Sequence, residues 1–276
     1  MRIAYTLSEL RAIRATMQGS CGLIPTMGAL HAGHGSLVQR ARQECDCVGA
    51  SIFVNPAQFG AGEDFGKYPR TLERDLDLFE KLGADFVFTP SVDVMYPPGF
   101  QTWVEVADVT TRLEGQCRPG HFRGVTTVVA KLLNAFTPTR AYFGQKDAQQ
   151  VVVLQRMVRD LNLPVELVVC PTVREADGLA LSSRNAYLNP AERKAATVLY
   201  RALCAARSKY DAGERNADAL RATMKSVLEG EPLANAQYVS AADPETLEEL
   251  ASVENGVLLS LAVRIGQTRL IDNFLL

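Results

Sequence analysis

The feature that most constrains this chain is a repeated alternation of short apolar segments with amphipathic ones. Residues 22–26 (GLIPT) predict a strand, 33–44 a helix, and the β-branched run 47–54 (CVGASIFV) a buried strand. From Pro69 to Leu82, apolar residues fall at Leu72, Leu76, Phe79 and Leu82, with Pro near the start and Gly83 past the end, so a helix is expected. Strands follow at 84–89, 102–107 (short, edge-type), 139–143 and 165–169, with helices at 123–136 and 148–161. Strand–helix alternation of this kind predicts a parallel sheet with crossover helices, an α/β fold. The turns after the strands are rich in polar residues and glycine: Pro25 to Gly35, Asn55 to Gly62, Gly144 to Asp147, and Thr172 to Asn185. Ligands of open parallel sheets bind at those carboxyl ends, so the four turns are expected to form one site.

The character changes after Asn185. An Ala-rich helix is expected from Pro190 to about Asp211, a second at 216–229, then the strand QYVSAAD, a short acidic helix from Pro244, and strands LLSLAVRIG and TRLIDN. That is a small α+β unit with antiparallel strands. We expect residues 1–174 to form the larger α/β domain and residues 175–276 a smaller domain that closes over the first. A length of 276 residues suits one large domain or two modest ones.

Composition narrows the function classes. A formal net charge of -2 offers no general basic face for nucleic acid. No segment has the length of a membrane span or a signal peptide, so a cytoplasmic location is expected. The six cysteines, Cys45 and Cys47 the closest pair among them, include no C-x-x-C, and we read them as reduced packing thiols.

Two of the three histidines, His31 and His34, lie three apart in P-T-M-G-A-L-H-A-G-H, between a strand and a helix. A helix N-terminus presents unpaired N–H groups and the positive end of the helix dipole, a natural phosphate site. Gly33 between the histidines leaves the backbone open to a ligand, and an imidazolium here would stabilise growing phosphate charge. Lys146 sets an ammonium after a buried strand. Asp147 either meets a ribose or caps the following helix. Leu181-Ser182-Ser183-Arg184 offers two hydroxyls and a guanidinium suited to a polyphosphate.

His31-Ala32-Gly33-His34 resembles the His-x-Gly-His signature of the nucleotidylyltransferase and class I aminoacyl-tRNA synthetase superfamily, and 181–184 a variant of its Lys-Met-Ser-Lys-Ser loop. The blocks at 25–34, 51–59 (SIFVNPAQF), 68–72 (YPRTL), 118–125 (RPGHFRGV), 143–150 (FGQKDAQQ), 177–185 (DGLALSSRN) and 269–273 (RLIDN) are similar, in order, to the pantothenate synthetase (pantoate–β-alanine ligase) family. The resemblance implies a Rossmann-like, doubly wound parallel sheet. It also implies an ATP-dependent ligase that joins pantoate to β-alanine through a pantoyl adenylate, and a homodimer. Another small-molecule adenylyltransferase of the superfamily, or a non-catalytic nucleotide sensor, is the alternative.

Carried onto this chain, the resemblance makes His34, His31 and Lys146 catalytic. It places ATP against Met27, Gly28, Ala29, Leu30, His31, Ala32, Gly33, His34, Gly144, Gln145, Lys146, Asp147, Val173, Leu181, Ser182, Ser183 and Arg184. Pro25, Met27, Gln58 and Gln150 would hold pantoate, Gln58 would approach β-alanine, and Asn55 and Tyr68 would line the pocket wall. Mg²⁺ would travel on the ATP phosphates, with Asp75 a possible additional ligand. The basic turn Arg118–Gly124 suggests either a carboxylate site or a subunit contact.

Overall fold

The computed structural model describes residues 1–276. In chain order the elements are β1 (Arg2–Ala4), α1 (Leu7–Ala15), β2 (Cys21–Thr26), α2 (Ala32–Glu44), β3 (Cys47–Ile52), α3 (Leu72–Lys81), β4 (Phe86–Phe88), α4 (Val92–Met95) and α5 (Glu114–Cys117). Then come α6 (His121–Phe136), β5 (Arg140–Gly144), α7 (Ala148–Asp160) and β6 (Glu166–Cys170). The chain ends with α8 (Pro190–Ala195), α9 (Val198–Asp211), α10 (Ala217–Glu229), β7 (Ala234–Ala242), β8 (Leu258–Ile265) and β9 (Thr268–Leu275). No helix is long and apolar enough to cross a membrane.

The first six strands form one parallel sheet in the order β1-β4-β3-β2-β5-β6, and the last three an antiparallel sheet, β7-β8-β9. Side chains alternate across the parallel sheet with the period of two that a pleated strand imposes. Leu23, Phe86, Phe88, Ala141 and Phe143 enter one core with Phe136 of α6, while Ile24, Val87 and Tyr142 enter the other with Val38 of α2 and Phe79 of α3. Each large apolar side chain buried this way contributes roughly 1.5–3 kcal/mol. A third core joins α9 and α10 to the antiparallel sheet through Leu199, Leu203, Leu220, Leu259 and Leu261.

The strand order places the topological switch point between β2 and β5. The chain builds outward from β2 through β3 to β4, then crosses back to start β5 on β2's other side. Pairing between β2 and β5 is confined to Gly22↔Arg140 and Leu23↔Ala141. Both strands run on, to Thr26 and Gly144, so the crevice opens between their carboxyl ends.

Several sequence expectations need correction. Residues 102–107 form no strand: the backbone of Val104 bonds to threonines of α6, donating to Thr127 Oγ1 at 3.0 Å and accepting from Thr126 Oγ1 at 2.6 Å. Pro244 starts no helix, because Asp243 Oδ1 collects the N–H groups of Glu245 and Thr246 in a tight turn and Leu247 turns left-handed at φ 60°. The helix expected from Pro190 to Asp211 is two helices, tightened at Ala196 and Thr197, where Thr197 N–H reaches only to the Lys194 carbonyl, three residues back. The first strand and helix, β1 and α1, were not expected. Thr6 and Glu9 form a complete capping box there, a spacing visible in the sequence.

Candidate active site

The turn after β2 is built around Asp75. Thr26 Oγ1 donates to the Ser51 carbonyl at 2.7 Å and accepts the Gly28 N–H at 3.2 Å, fixing the strand end. The chain then passes through two left-handed residues, Gly28 (φ 80°) and Ala29 (φ 51°). A side chain at Gly28 would come within 2.9 Å of Asp75 Oδ2, so position and conformation both demand glycine. Asp75, buried in the first turn of α3, accepts from Ala29 N at 2.8 Å, Leu30 N at 2.9 Å and Thr71 Oγ1 at 3.1 Å. Its oxygens hold the histidine turn, so Asp75 is a brace for the loop and not a fitting Mg²⁺ ligand. No group of three or more His, Cys, Asp or Glu side chains is arranged to hold a metal ion.

His31 caps α2. Its Nδ1 accepts the Gly33 N–H at 3.1 Å, and His34 Nδ1 accepts the His31 N–H at 3.3 Å, so the two imidazoles form a reciprocal capping box. Their ring centroids are 4.2 Å apart. Because each Nδ1 is an acceptor, the proton of each neutral ring sits on Nε2. Gly33 is required by the His31 ring, whose Cε1 would lie 2.8 Å from any added Cβ.

The expected imidazolium is not what the surroundings favour. Burial, reinforced by the Lys146 charge, lowers His31 to about 4, and burial with the neighbouring His31 lowers His34 to about 3. Both are neutral Nε2–H donors at neutral pH. Burial and Arg118 likewise lower the third histidine, His121, to about 4. The unfolded chain takes up these protons near 6.5 and the folded one only near 3 to 4. Stability from these rings is therefore present above about pH 6.5 and lost as pH falls through about 4. The urea midpoint is expected to drop between about pH 7.5 and about pH 4.5, and the drop to shrink in His31→Gln/His34→Gln. An unchanged slope in that variant would show that the pair does not carry the effect.

Across the crevice, Gln145–Asp147 forms a single 3-10 turn between β5 and α7. Gly144 has ordinary extended angles and open space where a side chain would stand, so a ligand can approach its backbone. Lys146 Nζ lies 3.6 Å from Asp147 Oδ1. Asp147 makes no side-chain bond to the N-terminus of α7, which removes the capping role and leaves its carboxylate half-exposed. Gln145 Nε2 donates to Asn273 Oδ1 at 3.2 Å.

The fourth turn folds back on itself. Leu181 N–H donates to the Val173 carbonyl at 3.0 Å, and Leu181 Cβ stands 4.0 Å from where a Gly33 side chain would begin. The loop therefore runs close beside the histidine turn. Ser182 Oγ accepts the Arg184 N–H at 3.2 Å, and Ser183 Oγ lies 3.1 Å from the hydroxyl of buried Tyr68. Arg184 is not free: its guanidinium grips Asp64 with bonds of 3.0 and 2.9 Å. Burial disfavours the Arg184 charge, but Asp64 outweighs it and holds the guanidinium above its ordinary pKa.

Gln58 and Asn55 form the neighbouring wall. Asn55 Nδ2 donates to Gln58 Oε1 at 3.0 Å and to the Gly124 carbonyl at 3.1 Å, and its Oδ1 accepts from the Tyr96 hydroxyl at 2.8 Å. Gln58 Nε2 faces Met27 Sδ at 3.0 Å. A thioether is a weak acceptor, so this amide can exchange it for a ligand oxygen. Pro25 lies half-buried at the end of β2. A cavity of about 1210 Å³ lies between the antiparallel sheet and the Lys146 turn and is lined by Gln150, Lys146, Asp147, Ser182 and Arg184. The histidines at 31 and 34, Met27, Asn55, Gln58 and Tyr68 stand outside that lining. The cavity thus opens onto the Lys146 turn and the Ser182–Arg184 loop, while Asn55 and Gln58 are closed in by their own contacts.

The family model for pantoate-beta-alanine ligase matches residues 2–275. The chain belongs to the pantoate–β-alanine ligase family. It is 62% identical to the pantothenate synthetase of Roseiflexus sp. (strain RS-1) over 276 residues, covering 100% of this chain and 99% of that one. The pantothenate synthetase of Chloroflexus aurantiacus is 60% identical over 277 residues, with 100% and 98% covered. Among solved structures, a pantothenate synthetase from Thermus thermophilus superimposes with a TM-score of 0.96 at 50% identity, covering 99% of each chain. The Francisella tularensis pantoate-beta-alanine ligase, complexed with beta-gamma ATP and beta-alanine, gives a TM-score of 0.82 at 36% identity, covering 100% of this chain and 97% of that one.

In this ligase fold the basic turn Arg118–Gly124 proves to be a support for Gln58. Arg118 is paired with Glu63 through two bonds of 2.7 Å. His121 is buried with Nδ1 2.8 Å from the Gln58 carbonyl and Nε2 3.0 Å from Arg118 Nη1, so a neutral ring donates to the carbonyl and accepts from the arginine. Within the chain, Arg118 is matched by Glu63 and also lines the cavity. Sequence reasoning also missed Asp64, Glu114 and Asn273. Asp64 and Glu114 had no signal beyond being acidic. Asn273 ended the R-L-I-D-N block, whose match was visible but whose contacts were not.

Proposed function

We propose that this chain uses ATP to condense pantoate with β-alanine, by way of a pantoyl adenylate. The observation that carries the reading is the meeting of the histidine pair, the Lys146 turn and the Leu181–Arg184 loop at the β2/β5 switch point. In the first step a pantoate carboxylate oxygen attacks the α-phosphorus. The bond from that phosphorus to the bridging oxygen breaks, and pyrophosphate departs. In the second, the β-alanine amine attacks the acyl carbon, the acyl C–O bond to phosphate breaks, and AMP leaves with the electron pair while the amine loses a proton.

His34 Nε2–H is the donor to the α-phosphate, and His31 sits beside it on the nucleotide. Lys146 adds a full positive charge where negative charge grows. The backbone from Met27 to His34 carries the nucleotide along the α2 N-terminus. Gly144 and Asp147 meet the ribose, and the Val173 amide faces the adenine, its carbonyl being engaged by Leu181. Ser182, Ser183 and Arg184 wrap the terminal phosphates once Arg184 exchanges Asp64 for phosphate oxygens. Pro25, Met27, Gln58 and Gln150 hold pantoate, with Asn55 and Tyr68 at the wall and Gln58 next to β-alanine. Mg²⁺ enters on the triphosphate. Residues 175–276 act as a closing unit on residues 1–174, and the working form is a cytoplasmic homodimer.

The test separates the two half-reactions. Pyrophosphate release from ATP is expected only when pantoate is present, and AMP release only when β-alanine follows. ATP turnover without pantoate, or adenylate transfer to a nucleotide acceptor in its place, would overturn the reading.

A further inference from the structure

The R-L-I-D-N block lies on β9, in the antiparallel sheet, yet its last residue reaches the parallel sheet's lysine turn. Asn273 is 4% exposed. Its Nδ2 donates to the carbonyls of both Gln145, at 3.0 Å, and Lys146, at 2.9 Å, and its Oδ1 accepts from Gln145 Nε2 at 3.2 Å. Every hydrogen of the amide and its oxygen are thus used on one turn. We propose that Asn273 is a positioning residue of the adenylation step, acting through Lys146.

Two observations give the inference its weight. The Gln145–Asp147 turn is short, and no side chain of its own caps it or the helix that follows. Asn273 adds two bonds from outside the turn to the peptide planes on either side of the Lys146 Cα. The strand end that supplies the amide is itself immobilised. Asn273 N–H donates to Asp272 Oδ1 at 2.8 Å, and Asp272 takes the Arg174 guanidinium in two bonds of 2.6 and 2.8 Å. That guanidinium lies over the rings of Tyr200 and Phe274, 4.8 and 5.1 Å from their centroids. The antiparallel sheet therefore presents a rigid pair of donors to a turn that has no side-chain cap of its own. A shift of about 1 Å in a reacting geometry costs on the order of 10²-fold in rate. Aspartate in this place would set a carboxylate against two carbonyl oxygens.

The inference rests on Lys146 acting on ATP, and the experiment keeps the two apart. Single-turnover pyrophosphate release is measured for the native enzyme, Lys146→Ala, Asn273→Ala and the double variant, with Asn273→Asp as a same-sized side chain that cannot donate. Asn273→Ala and Asn273→Asp are expected to slow adenylate formation by about 10–100-fold, with the pantoate KM changed less than about twofold. In the Lys146→Ala background, Asn273→Ala is expected to cause no further slowing, because the group it positions is gone. If Asn273→Ala does not fold, Asn273→Asp carries the same comparison. Full additivity in the double variant, or a native rate in Asn273→Asp, overturns the inference alone. A native rate in Lys146→Ala overturns the lysine's role and the inference with it.

Discussion

His34→Ala is expected to slow pantoate-dependent pyrophosphate release by about 10²–10³-fold, the scale of losing one preorganised donor to a developing oxyanion. The Nδ1 of this ring is occupied by the His31 N–H, which fixes the tautomer and aims Nε2–H away from the helix. Burial holds the ring neutral, so the donor is in place without a proton being taken up first. A neutral donor suits the step, since it can share its proton with the phosphate oxygen as charge accumulates and needs no desolvation of an ion. The same substitution removes half of a capping box, a loss of about 0.5–2 kcal/mol in fold stability. Circular dichroism should therefore show a folded protein with a slightly lower melting temperature. ATP affinity should change far less than the rate, because the contact strengthens mainly in the transition state. A variant that releases pyrophosphate within about threefold of the native rate in a single turnover would remove His34 from the reaction.

The second large effect is on stability. Glu114→Ala is expected to destabilise the protein by about 3 kcal/mol, the lower end for breaking a buried ion pair. Glu114 sits in α5 with its side chain 8% exposed, and Arg269 of β9 is 20% exposed. The Arg269 guanidinium binds both carboxylate oxygens, at 2.7 and 2.6 Å, and the Tyr238 hydroxyl donates to one of them at 2.9 Å. Burial alone would raise the Glu114 carboxyl, but the arginine fork and the tyrosine outweigh it and hold the pKa below the ordinary carboxylate value. The pair's contribution is thus present above the unfolded carboxyl's pKa and lost as pH falls through the folded one. Truncating the acid leaves a guanidinium and a phenol without their partner, and water reaches only part of that site. Replacing both charges, as Glu114→Leu/Arg269→Met, should recover much of the loss, since desolvation of the pair is avoided. Urea unfolding at neutral pH decides the matter: a change under about 1 kcal/mol in Glu114→Ala would show that the pair does not fasten α5 to the antiparallel sheet.

Local chemistry explains which parts were readable. The parallel sheet followed from β-branched runs such as 47–54 and from the helix spacing of Leu72, Leu76, Phe79 and Leu82, because burial on one face leaves a periodic trace. The histidine turn was readable because a strand, a glycine-bearing turn and a helix start are all short-range features. The Val104 segment misled for the same reason: its residues look like a strand, but its bonding partners are Thr126 and Thr127, on a helix further along the chain. Asp75 was misjudged because its place in the sequence of α3 gives no hint that the fold turns it inward onto the Ala29 and Leu30 amides.

The chain alone therefore determined the layer architecture and the positions of the four turns that follow the parallel strands. Tertiary structure decided the charge state of the histidines, because burial is a property of what packs around a ring. It decided that Arg184 waits on Asp64 and that Arg118 and His121 support Gln58. It also decided that Asn273, 127 residues from Lys146 in sequence, lies on its carbonyl. Pairings over such separations leave no periodic mark on the sequence, since the fold, and not the neighbouring residues, supplies the partner.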